Sequence, residues 1–211
     1  LGIYKALESN FGFTAEKKKI NYMLGHSLGE YSALAASKSL TIPQASMLLK
    51  IRGELMNSAI DPNTTSMAAL IGKTCEEIEK IINKNNIEIE IANDNSPGQI
   101  VISGSNKDIE DSKKIFVSEG IKKFVKLNVS AAFHSKFMLE AQEKLNFEID
   151  SKKFNNPICS IISNYDASIN LLSNQIIKNL KLQMANRVRW TESILQLEKN
   201  GENNIIEIGP G

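Results

Sequence analysis

Ile20-Asn21-Tyr22-Met23-Leu24-Gly25-His26-Ser27-Leu28-Gly29-Glu30-Tyr31-Ser32-Ala33-Leu34-Ala35-Ala36-Ser37 is the stretch that decides the fold. Its first five residues are short and largely apolar, which suits a buried strand. Residues 30–37 are rich in Ala and predict a helix. Between them, Gly25-x-Ser27-x-Gly29 has the spacing of a nucleophile elbow. The glycines allow a tight strand-to-helix turn with close backbone packing. Such a turn exposes the serine hydroxyl and aims the next backbone N–H, that of Leu28, at a developing oxyanion. The helix adds the positive end of its dipole. Five residues alone also fit an ordinary strand-to-helix turn, so the flanking elements carry much of the argument.

Outward from this turn, residues 1–9 read as the end of a helix and residues 10–19 as a polar connection. A helix is expected over residues 41–59, with Thr41 as N-cap, Pro43 in the first turn and Gln44 completing a capping box. Its apolar row is Ala45, Leu48, Leu49, Leu55, Met56 and Ala59, and Arg52 falls on the same row. A guanidinium on an apolar face is costly unless an anion meets it. The anion could be an internal carboxylate such as Glu30, or the carboxylate of a substrate gripped bidentately.

From residue 66 the pattern changes. Strands are expected at 67–71, 87–91, 99–103 and 121–129, with helices at 75–83 and 106–118 and a turn-rich segment at 93–98. The order β-α-β-β-α-β is the ferredoxin-like pattern, and residues 66–129 are assigned to a small inserted subdomain. Helices at 137–145, 171–182 and 190–199 and strands at 157–163 and 204–208 follow. The fold class is therefore α/β. An α/β-hydrolase-like large subdomain with a parallel sheet (residues 1–65 and 130–211) carries the ferredoxin-like small one.

A serine nucleophile needs a base. The chain has two histidines. His26 adjoins Ser27, where consecutive side chains diverge. His134 follows a predicted strand in Ser130-Ala131-Ala132-Phe133-His134-Ser135, in a loop of the kind that carries function. His134 is the candidate base.

Composition narrows the classes. Of 211 residues, 42% are hydrophobic and 23% charged, an ordinary globular balance. The formal net charge of +1 provides no field for nucleic acid or a membrane surface. No apolar run approaches the ~20 residues that span a bilayer. Cys75 and Cys159 sit in no paired motif, which suits a reducing, cytoplasmic setting (an organelle of bacterial origin is compatible) and speaks against a metal site. The exposed-type lysines 113, 114, 122, 123 and 126 read either as a docking face or as solvated surface.

Gly25-His26-Ser27-Leu28-Gly29-Glu30-Tyr31-Ser32-Ala33-Leu34 resembles the active-site stretch of malonyl-CoA:acyl carrier protein transacylases and of the related acyltransferase domains of fatty acid and polyketide synthases. Further matching blocks follow in order: Arg52-Gly53, residues 67–72, Asn95-Ser96-Pro97-Gly98-Gln99, Phe133-His134-Ser135, Val188-Arg189-Trp190-Thr191 and Glu207-Ile208-Gly209-Pro210-Gly211. The resemblance implies Ser27 as the acylated nucleophile and His134 as general base. It implies Arg52 as the grip on the malonyl carboxylate, the Leu28 N–H as an oxyanion donor, Gln99 as a cleft-lining residue and the Gln183 backbone carbonyl as the group that orients His134. Phe133 corresponds to the malonyl-selecting version of its motif. The implied activity is malonyl transfer from malonyl-CoA to the phosphopantetheine thiol of acyl carrier protein in fatty acid synthesis, with no cofactor, no metal, no nucleic-acid or membrane partner, and a monomeric enzyme. Family members open with a strand and a Gly-Gln-Gly loop that supplies a second oxyanion donor, so the chain is expected to be cut inside the fold at both ends. Polyketide acyltransferase, α/β serine hydrolase or thioesterase, and non-catalytic scaffold are the competing readings.

Overall fold

The computed structural model describes residues 1–61, 64–129 and 131–209. Ser130, Pro210 and Gly211, quoted above, lie outside them.

The chain begins with α1 (Gly2–Phe11) and a four-residue helix α2 (Ala15–Lys18), which occupies part of the segment read as a plain connection. Strand β1 (Tyr22–Met23) leads through the Ser27 turn into α3 (Leu28–Ala36). Helix α4 (Ile42–Ser58) is capped as expected: the Thr41 hydroxyl accepts from the Gln44 N–H, and the Gln44 side chain accepts from the Thr41 N–H. Its buried residues are Ala45, Leu48, Arg52 and Met56, the inward stripe of a 3.6-residue period with the guanidinium on it.

Strands β2 (Thr65–Ile71), β3 (Ile89–Ser96), β4 (Gln99–Ser105) and β5 (Lys123–Lys126) alternate with α5 (Cys75–Asn85) and α6 (Asn106–Ser118). They pair antiparallel in the order β5-β2-β4-β3, so the fourth, first, third and second strands of the unit lie side by side. That is the ferredoxin-like arrangement. Side chains alternate between faces. Ala68, Leu70, Ile100 and Ile102 meet Ile78, Ile81, Ile109 and Phe116 of the two helices. Met67 and Val101 face the other way, toward Phe133.

The remaining elements are α7 (Leu139–Asp150) after a 3-10 turn (Lys136–Met138), β6 (Ser160–Ile162), β7 (Ile169–Asn170), α8 (Ser173–Leu180), β8 (Val188–Arg189) and α9 (Trp190–Lys199). The main apolar core joins Tyr31 and Leu34 of α3, Leu48 of α4, Leu145 and Ile149 of α7, and Ile176 and Leu180 of α8.

Three expectations need correction. The turn-rich segment 93–98 is mostly strand: β3 runs to Ser96 because its backbone pairs with β4 and, at Asn93 and Asp94, with β8. The five-stranded sheet therefore takes a parallel strand from residues 188–189, far outside residues 66–129. The other sheet has the expected parallel element, β1 beside β6, with β7 returning antiparallel over a short turn. Residues 204–208 form no strand and are largely exposed, because among the described residues no strand edge pairs with their N–H and C=O groups.

Candidate active site

The parallel strands β1 and β6 end side by side, Tyr22 opposite Ser160 and Met23 opposite Ile161. Their carboxyl ends thus place the Ser27 turn next to Asn164, the position where open α/β sheets hold ligands. Gly25 packs so tightly that a Cβ there would lie 2.1 Å from the backbone carbon and oxygen of Gly29. Ser27 has φ 51° and ψ −103°, a conformation that costs a non-glycine residue about 1–3 kcal/mol. Asn164 holds it there. Its Oδ1 accepts from the Ser27 N–H at 2.6 Å, and its Nδ2 donates to the Gly25 carbonyl at 2.9 Å. The Leu28 N–H lies in the first turn of α3, where no acceptor exists within the helix.

His134 reaches Ser27 from across the molecule: its Nε2 is 2.8 Å from Ser27 Oγ. The loop carrying it is pinned to the five-stranded sheet. Ser103 Oγ donates to the Phe133 carbonyl at 2.7 Å, and the Ala132 N–H donates to Thr65 Oγ1 at 3.0 Å. His134 also has positive φ, 55°. Its Nδ1 faces two backbone carbonyls, Gln183 at 3.1 Å and Asn186 at 3.2 Å. Carbonyls only accept, so Nδ1 carries the hydrogen and Nε2 is the bare nitrogen facing the hydroxyl. Burial, reinforced by the Arg52 charge, pushes the His134 pKa down to about 3, so the imidazole is neutral at neutral pH.

Arg52, 5% exposed, donates from Nη2 to Ser27 Oγ at 2.8 Å and to Gln183 Oε1 at 3.3 Å. Its Nε has no hydrogen-bond partner. Among the described residues no carboxylate oxygen lies within ion-pair distance of it, so the expected alternative of a direct bridge to Glu30 does not form. The guanidinium lies 5.8 Å from the centre of the Tyr31 ring, a weak cation–π contact that leaves the Nε–H free for an anion.

The structure brings Ser27, His134, Arg52, Gln183 and the Leu28 amide together. Gln99 stands apart: it is exposed at the start of β4, and among the described residues no hydrogen bond joins its side chain to Ser27, His134 or Arg52. Asn95, on the same hairpin, is the residue that reaches the turn: its Oδ1 accepts at 2.8 Å from His26 Nε2, whose ring packs edge-on against Trp190.

Three features escaped the sequence reading. Asn164 has no motif around it. The Gln183 side chain does as much as its carbonyl: Nε2 donates to the Ser27 carbonyl at 3.0 Å and to Glu30 Oε2 at 2.7 Å. Asn186 supplies a second carbonyl to His134. None of the three is foreshadowed by spacing, because each contact joins residues more than 50 positions apart.

The arrangement can take a proton from Ser27, hold an anion beside it, and offer a helix-terminal N–H to an oxyanion. Comparison with known proteins points the same way. The family model for the acyl transferase domain matches residues 15–210. The malonyl CoA-acyl carrier protein transacylase of Bacillus subtilis is 38% identical over 194 residues, covering 90% of this chain and 61% of the relative. The chain thus spans about three fifths of that relative's length. The crystal structure of an acyl-carrier-protein-S-malonyltransferase from Bartonella henselae superposes with a TM-score of 0.93 at 37% identity, covering 99% of this chain and 67% of the other. A malonyl-transacylase solved in complex with a type II polyketide acyl-carrier protein superposes with a TM-score of 0.91 at 32% identity, again over 99% and 67%. With the family model running from α2 to the last described residues, over the elbow, the histidine loop and the buried arginine alike, the chain belongs to the acyl transferase domain family.

Proposed function

We propose that this chain carries the chemistry of a malonyl-CoA:acyl carrier protein transacylase, moving a malonyl group from coenzyme A to the phosphopantetheine thiol of an acyl carrier protein. The observation that carries this reading is Arg52: a buried guanidinium with an unpartnered N–H and, among the described residues, no carboxylate paired with it directly, 2.8 Å from the Ser27 hydroxyl. A buried guanidinium with a spare N–H is placed to take an anion directly. The relatives named above act on malonyl groups, and one was solved with its carrier protein.

Ser27 Oγ attacks the thioester carbonyl as its proton passes to His134 Nε2. The imidazolium is stabilised by the Gln183 and Asn186 carbonyls facing Nδ1–H, in the place usually taken by a carboxylate. The Leu28 N–H supports the oxyanion. When the tetrahedral intermediate collapses, the C–S bond breaks and His134 returns the proton to the departing coenzyme A sulfur. Malonyl-Ser27 remains, its free carboxylate on Arg52. The carrier's thiol then gives its proton to His134 and attacks the ester, and His134 protonates Ser27 Oγ as it leaves. Phe133 is partly buried beside His134, and the likeness of its motif to the malonyl-selecting version supports a preference for malonyl over its methylated homologue. On this reading residues 1–65 and 130–211 make the catalytic unit and 66–129 the smaller one.

Mass spectrometry after mixing with malonyl-CoA should find the malonyl adduct on Ser27, passed on when carrier protein is added. Arg52→Ala should cut malonyl loading by at least a hundredfold while sparing acetyl. Equal losses for both would sink the carboxylate grip, and malonyl-CoA consumed rapidly without acceptor would favour a hydrolase.

A further inference from the structure

The mechanism leaves a deeply buried carboxyl beside the site without a task. Glu30 lies in the first turn of α3, 1% exposed. Its Oε2 accepts from Gln183 Nε2 at 2.7 Å and from the Asn164 N–H at 3.2 Å, while Oε1 has no partner. The Gln183 amide stands between Glu30 and Arg52: Oε1 faces the guanidinium and Nε2 faces the carboxylate. The two charges therefore share a neutral amide instead of pairing directly.

The groups around the carboxyl are Tyr31 beside it on α3, Arg52 on α4, Asn164 and Asp166 after β6, and Gln183 after α8. Arg52 is the one positive charge among them. Burial raises the Glu30 pKa to about 7, against the opposing pull of Gln183, Asn164 and Arg52. An empty site near neutral pH thus holds one guanidinium and, part of the time, one carboxylate. A malonyl carboxylate on Arg52 adds a second negative charge that one guanidinium cannot balance in a buried site. The incoming carboxylate takes the free N–H of Arg52 directly, whereas Glu30 reaches Arg52 only through Gln183. Glu30 is therefore the one to be neutralised, and its unpartnered Oε1 can take a proton without breaking a bond.

We propose that Glu30 is the resident counter-charge of Arg52 in the unloaded enzyme, and that it takes up a proton from solvent whenever an acyl group bearing a free carboxylate occupies Arg52. This rests on the assignment of Arg52 as the carboxylate grip. The acyl transfer itself is proton-neutral, because the Ser27 proton leaves on the coenzyme A thiol. Uptake that Glu30→Gln abolishes therefore reports Glu30. Acetyl groups bring no carboxylate and draw no proton, so the carboxyl makes the site's preference for malonyl dependent on pH.

The test is rapid mixing with malonyl-CoA in a weakly buffered indicator solution, with Ser27 loading counted in the same sample by mass spectrometry. At pH 7 roughly half a proton should be taken up per malonyl-Ser27, falling toward zero near pH 5.5. Glu30→Gln should load without uptake. Its KM for malonyl-CoA should stay level where the wild-type value rises up to roughly tenfold between pH 6 and 8. Infrared difference spectra of the wild type should gain, beyond the ester band common to both acyl-serines, the deuterium-sensitive carbonyl band of a protonated carboxyl on malonyl loading and lack it on acetyl loading. Loaded Ser27 with neither proton uptake nor the band overturns this inference alone. An unloaded Ser27 overturns the transfer reading and this inference with it.

Discussion

Asn164→Ala isolates the brace that holds the Ser27 turn. The substitution removes the acceptor of the Ser27 N–H at 2.6 Å and the donor to the Gly25 carbonyl at 2.9 Å. Asn164 is fully buried, so water does not simply replace it. Each backbone group stranded in a buried site costs about 1–3 kcal/mol. Ser27 retains some exposure, which favours the lower half of that range, or about 2–4 kcal/mol for the two. For a chain of this size each kcal/mol lowers Tm by about 2–4 °C, so a drop of about 4–16 °C is expected. The serine should also relax from its positive φ, and malonyl loading should slow at least tenfold at a temperature where the variant is still folded. Asn164→Asp keeps an acceptor for Ser27 but loses the donor to Gly25 and sets a second carboxylate near Glu30, so it should recover little. Thermal unfolding followed by circular dichroism and stopped-time mass spectrometry of Ser27 read both effects. A Tm within about 2 °C of wild type together with unchanged loading would refute the brace.

Gly25→Ala should leave little folded protein, because its Cβ would sit 2.1 Å from backbone atoms of Gly29 that cannot rotate away; an Ala variant with normal Tm and loading would contradict the packing described. The depressed pKa of His134 has a sign that stability can test. A group whose pKa is lowered on folding contributes stability above its unfolded value of 6.5 that is lost as pH falls toward about 3. Between pH 6.5 and 5.5 the wild type should lose about 1 kcal/mol relative to His134→Gln in urea titrations. Parallel curves for the two proteins would show that His134 is charged in the fold.

Much of the site was legible because its parts announce themselves locally. A strand, a glycine-serine-glycine turn and an Ala-rich helix fix the geometry of Ser27 within a few residues. Arg52 betrayed itself by falling on the apolar row of α4, whose 3.6-residue period also predicts that it is buried. His134 followed from a shortage of alternatives, and the β-α-β-β-α-β order from alternating apolar patterns. Expectation failed where long-range pairing overrides local composition. Asn93–Ser96 looks like turn chemistry but is held in β3 by β4 and β8. Residues 204–208 look like a strand but pair with no described one.

The sequence by itself singled out the groups proposed to react: a serine on a tight turn, one plausible imidazole and an arginine that is costly on an apolar face unless an anion meets it. Only the tertiary structure decided how they are tuned. It put two backbone carbonyls on His134 Nδ1, and so fixed its tautomer. It set the Asn164 amide beneath the turn, and it placed the Gln183 amide between Arg52 and Glu30. Periodicity governs contacts a few residues apart, whereas these partners lie 49 to 153 positions apart and meet only when the core closes.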